Sequence, residues 1–271
     1  MISGIATSIA DRMGRTSGTV RALQPAYDWW LRTTYGRKGM PWHVNGEPLR
    51  IDPSVRRFMP HENEPALTEY LRTHMRPGDT VVDVGAFLGT YAILAARWVG
   101  PTGRVLALEP SPGSYDVLTR HLAYNGVADR VEARCAAAGA VPDRRELAVW
   151  SDEPYRNMIA TAATVEARVP VDVVTIDDLC HGWTRPPDWI RMDVQGLELD
   201  VLAGAKNVIR AARDRITVVV EVHPEQWPDY GIRPADVLDV FFALGLEAAP
   251  LPARAALFEQ GAHVVLKAKG R

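Results

Sequence analysis

From about residue 65 onward the chain repeats one pattern: a short β-branched run, then a stretch whose apolar positions fall three and four residues apart. The runs are TVVDV at 80, RVLAL at 104, RVEARC at 130, VDVVTI at 171, WIRMDV at 189, ITVVVEV at 216 and HVVLK at 263. The stretches between them predict helices over Glu64–His74, Thr90–Val99, Ser114–Asn125, Leu197–Ala212 and Pro234–Leu244, with Gly126 and Gly245 as stop signals. Strands alternating with helices call for an α/β domain whose largely parallel sheet is covered on both faces. Before residue 62 no alternating apolar run is visible, only Trp29, Trp30, Trp42, several Gly and Pro, and amphipathic pieces such as Val20–Thr33. That predicts a small, mostly helical lead-in over 1–62 and a main domain over 63–271. Between 134 and 188 there are two strand-like runs, Glu146–Trp150 and Arg168–Ile176, but no long helical period, which predicts an insertion near the mouth of the sheet.

Composition narrows the class. At 271 residues, 47% hydrophobic and 24% charged, the chain has ample material for a core. Its 31 basic and 33 acidic residues leave a net charge of -2, which supplies no broad positive field for nucleic acid. The longest uncharged stretch, Val84 to Ala96, is shorter than the roughly 20 residues a bilayer requires. The start, MISGIATSIADRMGR, lacks a basic region before its weakly apolar part, and Cys135 and Cys180 are too few for a disulfide framework. The expectation is a cytoplasmic protein with neither nucleic acid nor membrane as a partner.

The strongest local signal is GDTVVDVGAFLGTYAILAAR, a strand ending at Asp83, a turn carrying Gly85 and Gly89, and a helix beginning near Thr90. Glycines in such a turn let backbone N–H groups approach a ligand. The dinucleotide fingerprint needs its middle glycine where this chain has Phe87, so NAD or FAD is disfavoured. Asp83 repels phosphate but suits a cationic ligand such as the amino acid end of S-adenosylmethionine. Glu109, 20 residues beyond Gly89, stands where an acid accepts both ribose hydroxyls.

These residues resemble the FkbM family of S-adenosylmethionine-dependent methyltransferases over about Glu64 to Val222. The shared elements are Glu64 before a helix, RPGDTVVDVGAFLG, GRVLALEPSP, AYNG at 123, VVTIDDL at 173 and, most specifically, WIRMDVQGLELDVLAGA at 189. The resemblance implies the class I, Rossmann-like methyltransferase fold, a seven-stranded mostly parallel sheet with helices on both faces and an antiparallel last strand. It implies a methyl donor held by Asp83, Gly85, Phe87, Gly89 and Glu109, with Glu64, Ser111 and Asp193 beside them. It also implies methylation of hydroxyl groups, often on sugars or cyclic secondary metabolites. Phe87 and Gln195 depart from the family's usual Asn and Glu. The acid often placed beside the adenine is absent after Cys135.

Methylating a hydroxyl requires in-line positioning and a base. Ligands of open α/β sheets bind at the carboxyl ends of the strands, which here carry Asp193 and Glu198 on one side and Glu221 and His223 on the other. His223 is expected to be the base, by its ordinary pKa of about 6.5, and Asp193 to orient the acceptor. Gln195, Glu198, Glu221 and Trp227 are expected to face the substrate, with Trp183 and Trp189 also flanking the mouth and Trp29 and Trp30 closing the site from the lead-in. An Mg²⁺ held by Asp193 and Glu198 with His223 or Glu221 is conceivable but not favoured, and no metal ligand is assigned. The expected partner is a small-molecule hydroxyl acceptor, with a homodimer left open. Competing readings are methylation of an amine, which needs a base less, and a protein that binds the donor without catalysis.

Overall fold

The computed structural model describes residues 18–149, 158–159 and 167–268, and it divides into two compact units meeting between Asn63 and Glu64. In the first unit, helix α1 (Gly18–Tyr35) precedes an antiparallel hairpin of β1 (Met40–Val44) and β2 (Glu47–Ile51). The hairpin adds two strands that the expectation of a mostly helical lead-in did not include, beside α1 and a short 3-10 helix over Pro53–Phe58. Its turn is Asn45-Gly46, both residues at positive φ (51° and 81°), which is the two-residue turn whose twist matches paired strands. That dipeptide was the signal to read. Trp42 packs here on the His61 ring at 4.1 Å and donates its indole N–H to Met59 O, while Trp29 is exposed.

The second unit holds a seven-stranded sheet built from β3 (Thr80–Val84), β4 (Arg104–Leu108), β5 (Val131–Arg134), β10 (Trp189–Met192), β11 (Thr217–Val222), β12 (Leu246–Leu251) and β13 (Ala262–Ala268). The spatial order is β12-β13-β11-β10-β3-β4-β5, parallel throughout except that β13 runs antiparallel to both neighbours. Every residue of TVVDV and WIRM is buried, because helices cover both faces of the central strands. This is the class I methyltransferase sheet. Helices α2 (Pro65–His74), α3 (Thr90–Trp98) and α4 (Pro112–Tyr124) follow the expected periods, and two of them begin with Pro, whose missing N–H a first turn does not need. The helix expected over Leu197–Ala212 is two shorter ones, α6 (Glu198–Gly204) and α7 (Lys206–Ala211), after the short α5 (Ile176–Leu179). Helix α8 (Pro234–Ala243) leads into β12, a strand the pattern did not announce because LEAAPL carries no β-branched residue.

The expected insertion forms its own sheet, in the order β6-β9-β7-β8, from β6 (Ala137–Ala138), β7 (Asp143–Val149), β8 (Met158–Ile159) and β9 (Ala167–Val174). VDVVTI therefore belongs to this second sheet and not to the main one. Trp150, the end of one expected run, lies outside the described residues.

Candidate active site

The order of strands reverses between β3 and β10, since connections from β3 run outward to β4 and β5 while β10 and β11 lie on its other side. A crevice opens at the carboxyl ends of strands at such a point. Those ends carry Asp83 and Gly85 from β3, Glu109 from β4, Asp193 and Gln195 after β10, and Glu221 and His223 at the end of β11. Register makes the neighbours definite: Asp83 lies opposite Arg191, and Glu221 opposite His263. Helix α2 adds Glu64 at its N-terminus, with Glu64 Oε1 3.1 Å from His263 Nε2.

Arg191 is the centre of charge. Buried to 5% exposure, it lies 3.4 Å from Asp83, 3.3 Å from Asp193 and 3.8 Å from Glu221, donates to Gly85 O, and stacks over Tyr91 at 4.9 Å. Sequence reasoning passed over it. The available signal was an arginine inside an otherwise apolar central strand, which can be buried only if paired. His263 and Tyr91 were passed over too. Burial raises the pKa of Asp83 although Arg191 lowers it, and Asp83 Oδ2 and Glu221 Oε2 are buried acceptors without a hydrogen-bond donor. Burial would also raise Glu221, but His223, His263 and Arg191 hold it well below the ordinary carboxylate range. Asp193 is pushed up to about 6, by burial and then by Glu221. Asp83, Asp193 and Glu221 thus converge on Arg191 and Glu64 on His263, and the buried acceptor atoms Asp83 Oδ2 and Glu221 Oε2 suit a cationic ligand group that donates hydrogen bonds.

Glu109 is buried and raised to about 7 by desolvation. Its two oxygens accept the N–H of Phe87 at 2.8 Å and of Ser111 at 2.9 Å, and each keeps a further lone pair for a hydroxyl. Phe87 reaches it at φ 49°, and Gln195 and Glu64 are also left-handed, at 51° and 48°. Among the described residues only four non-glycine positions have positive φ, and three of them surround this cluster. Backbone strain of that kind concentrates at functional sites. The chain itself also requires these glycines: a Cβ on Gly85 would lie 1.9 Å from Asp193 O, and one on Gly89 2.5 Å from Leu118 Cδ1.

His223 is 3% exposed. Its Nδ1 lies 2.8 Å from Glu198 Oε1, and its Nε2 faces Gln195 Nε2 at 3.0 Å, Asp193 Oδ1 at 3.5 Å and Glu221 Oε1 at 3.6 Å. Burial lowers its pKa, but Glu198, Glu221 and Asp193 outweigh this and take it up to about 10. Glu198 is buried at 1% and accepts from Gly196 N, His223 Nδ1 and the Trp227 indole N–H, so its oxygens are occupied from within. This corrects its expected role toward substrate. Trp227 is corrected likewise: at 1% exposure it is core, edge-on to Phe258. Trp189 bonds Asp79 ahead of β3, and Trp183 lies against Arg104 at the start of β4, so both sit at the opposite end of the sheet from the mouth.

The model for a methyltransferase FkbM domain matches residues 83–246. The hexuronic acid methyltransferase AglP of Haloferax volcanii is 26% identical over 230 residues, covering 80% of this chain and 86% of its own. The methyltransferase sdnD of Sordaria araneosa is 27% identical over 184 residues, covering 57% and 68%. Among solved structures, the O-methyltransferase TomG of Streptomyces achromogenes aligns with a TM-score of 0.48 and 17% identity, covering 80% of this chain and 86% of its own. Among the described residues no helix is long and apolar enough to cross a membrane.

Proposed function

Since this chain belongs to the FkbM methyltransferase family and is an S-adenosylmethionine-dependent methyltransferase, we propose that it methylates a hydroxyl of a small sugar-containing or cyclic natural product. The observation that carries the choice of a hydroxyl is the cluster of Asp193, Glu221 and His223 at the ends of β10 and β11, beside the glycine turn. A hydroxyl acceptor must lose a proton, whereas an uncharged amine is already nucleophilic. A relative that acts on hexuronic acid supports the sugar class.

When bound, the cofactor supplies a methyl group on a positively charged sulfur. The residues present fit it: Asp83 Oδ2 and Glu221 Oε2 are buried acceptors awaiting a donor, and Glu109 retains lone pairs for ribose hydroxyls. The chain must then orient the acceptor and take its proton. We assign Nε2 of His223 to the proton and Asp193, whose side chain is 25% exposed, to holding the acceptor. Burial behind Gln195 excludes water, which would otherwise compete for the base.

The test is incubation of purified protein with S-adenosylmethionine and paired acceptors, hexuronic acids and cyclic polyols against their amino analogues, with S-adenosylhomocysteine and the methylated product followed by mass spectrometry. Product from the hydroxyl member of each pair is expected. Methylation confined to the amines overturns the hydroxyl reading.

A further inference from the structure

The turn after β11 is closed by the Gln226 N–H, which donates to His223 O at 3.0 Å, and it is pinned from within by Trp227, buried and bonded to Glu198. Gln226 itself lies half-buried on the lip of the site. A Cβ on Gly196, φ 100°, would stand 2.8 Å from Gln226 Cβ and 2.9 Å from Tyr230 Cε2, so both side chains rest on the turn whose Gln195 amide lies 3.0 Å from His223. From the other side comes the loop that enters β13. There the Gly261 N–H donates to Val222 O at 3.0 Å, and a Cβ on Gly261 would come within 3.7 Å of Glu221 Oε1. Just before it, Gln260 Oε1 accepts the backbone N–H of Glu225 at 3.1 Å, and Gln260 Nε2 donates to Gln226 Oε1 at 3.2 Å. A backbone N–H can only donate, so it fixes which end of each amide is which. Gln226 therefore turns its Nε2 away from Gln260, and among the described residues no hydrogen bond occupies that group.

Resting on the hydroxyl-methylation reading above, we propose that Gln226, Gln260 and Tyr230 form a subsite for a neutral sugar ring, which sets one hydroxyl of that ring beside Asp193, Glu221 and His223. A sugar hydroxyl both donates and accepts. Gln226 offers the two hydrogens of Nε2 and, on Oε1, a lone pair that Gln260 leaves over, so one amide plane presents donor and acceptor side by side to neighbouring hydroxyls. A pair of uncharged amides gains nothing from a charged group on the ring. Arg145, the cation that approaches Tyr230, is already held by Asp143 at 3.1 Å and by Asp200 at 3.0 Å. The half-buried Tyr230 ring supplies apolar area for the C–H face of a sugar, since small-ligand sites combine aromatic walls with a few placed polar groups. A cyclic alcohol with a single hydroxyl would use the ring and leave the amide unpaired, so the subsite favours sugars among cyclic acceptors. Trp227 and the relay from Glu225 through Gln260 hold the lip in place before any sugar arrives, which lowers the ordering cost of binding.

The experiment reads sugar binding without methyl transfer. Protein loaded with S-adenosylhomocysteine is mixed with the methyl pyranosides of glucose, galactose, mannose and rhamnose, and separately with cyclohexanol, and saturation-transfer difference spectra record which ring protons touch it. At least one pyranoside is expected to bind, with stronger transfer than cyclohexanol. Gln226→Leu, which keeps the bulk of the side chain and removes its hydrogen-bonding groups, should weaken that binding about ten-fold, and Gln260→Leu, which only releases the Gln226 amide, by less. Calorimetric titration of both variants should return the wild-type affinity for S-adenosylhomocysteine, which also reports that they fold. In turnover with a sugar acceptor, Gln226→Leu should raise KM by the same factor and leave kcat within about three-fold of wild type, whereas a merely structural role would lower kcat. Binding of no pyranoside, equal binding of cyclohexanol, or wild-type sugar affinity in Gln226→Leu overturns the proposal. Should Gln226→Leu lose the cofactor, Gln260→Leu and Tyr230→Leu decide, and wild-type sugar affinity in both overturns it. Sugars that bind here yet are never methylated on oxygen would sink the function above and leave the subsite standing, while hydroxyl methylation indifferent to Gln226→Leu sinks the subsite alone.

Discussion

Arg191 and Asp83 lie opposite one another on β10 and β3, their charged atoms 3.4 Å apart and both side chains buried. Neither could be placed there alone, because an isolated charge in the middle of a covered sheet is expelled or neutralised.

Arg191→Met should therefore destabilise the fold by about 3–5 kcal/mol, since Asp83, Asp193 and Glu221 lose the cation that faces them all. Urea denaturation measures it. A loss under 1 kcal/mol would mean that the acids are neutralised by protons instead.

Glu109→Ala should weaken binding of S-adenosylhomocysteine by about 1–3 kcal/mol, because it leaves the Phe87 N–H and the ribose hydroxyls without their acceptor. Calorimetric titration decides. Tighter binding of NADH than of S-adenosylhomocysteine would defeat the cofactor assignment itself.

The glycine turn separates packing from ligand contact. Gly85→Ala drives a Cβ into Asp193 O, a backbone atom that cannot step aside, and should cost more stability than Gly89→Ala, which meets the end of the Leu118 side chain. In a Leu118→Ala background, itself destabilised by about 2–5 kcal/mol because Leu118 is fully buried, the added cost of Gly89→Ala should fall toward the roughly 1–2 kcal/mol penalty of a left-handed non-glycine residue. Thermal melts of the single and double variants check the order, and an equal loss in Gly85→Ala and Gly89→Ala contradicts it.

His223→Ala should lower kcat by about 10²–10⁴-fold with little change in cofactor affinity, if chemistry limits the rate. The rate should climb from neutral into alkaline pH, because the base form appears only as pH rises toward a pKa held near 10 by Glu198 and Glu221. Asp193→Asn should be the milder change, and EDTA should leave the rate unchanged. Inactivation by chelator, with Asp193→Asn the more damaging variant, would transfer the proton to a metal-dependent mechanism.

His263 links stability to pH. Burial lowers its pKa, but Glu221 and Glu64 raise it to about 9, above the 6.5 of the unfolded chain. A raised imidazolium contributes its stability in full below 6.5 and loses it as pH climbs through 9, so the unfolding free energy should fall across that window. Glu64→Gln should flatten the slope. Denaturation midpoints at pH 6, 7.5 and 9 test this, and an unchanged slope in Glu64→Gln removes the pair from the account.

Much of this was legible in the order of residues. Alternating β-branched runs and helical periods are local patterns, set by which face of each element must leave water, so the parallel strands, the glycine turn and the Asp83 and Glu109 positions could be read directly. The hairpin at Asn45-Gly46 was equally local. What only the tertiary structure decided was pairing between distant positions. That Arg191 meets Asp83, that His263 meets Glu64, and that Glu198 and Trp227 turn inward while Gln195 turns toward His223 depend on strand register and on which side chains are desolvated together. A charge pattern along one chain carries no distances, and the Coulomb and hydrogen-bond terms that set each group's protonation fall off within a few ångströms, so they exist only once the strands are side by side.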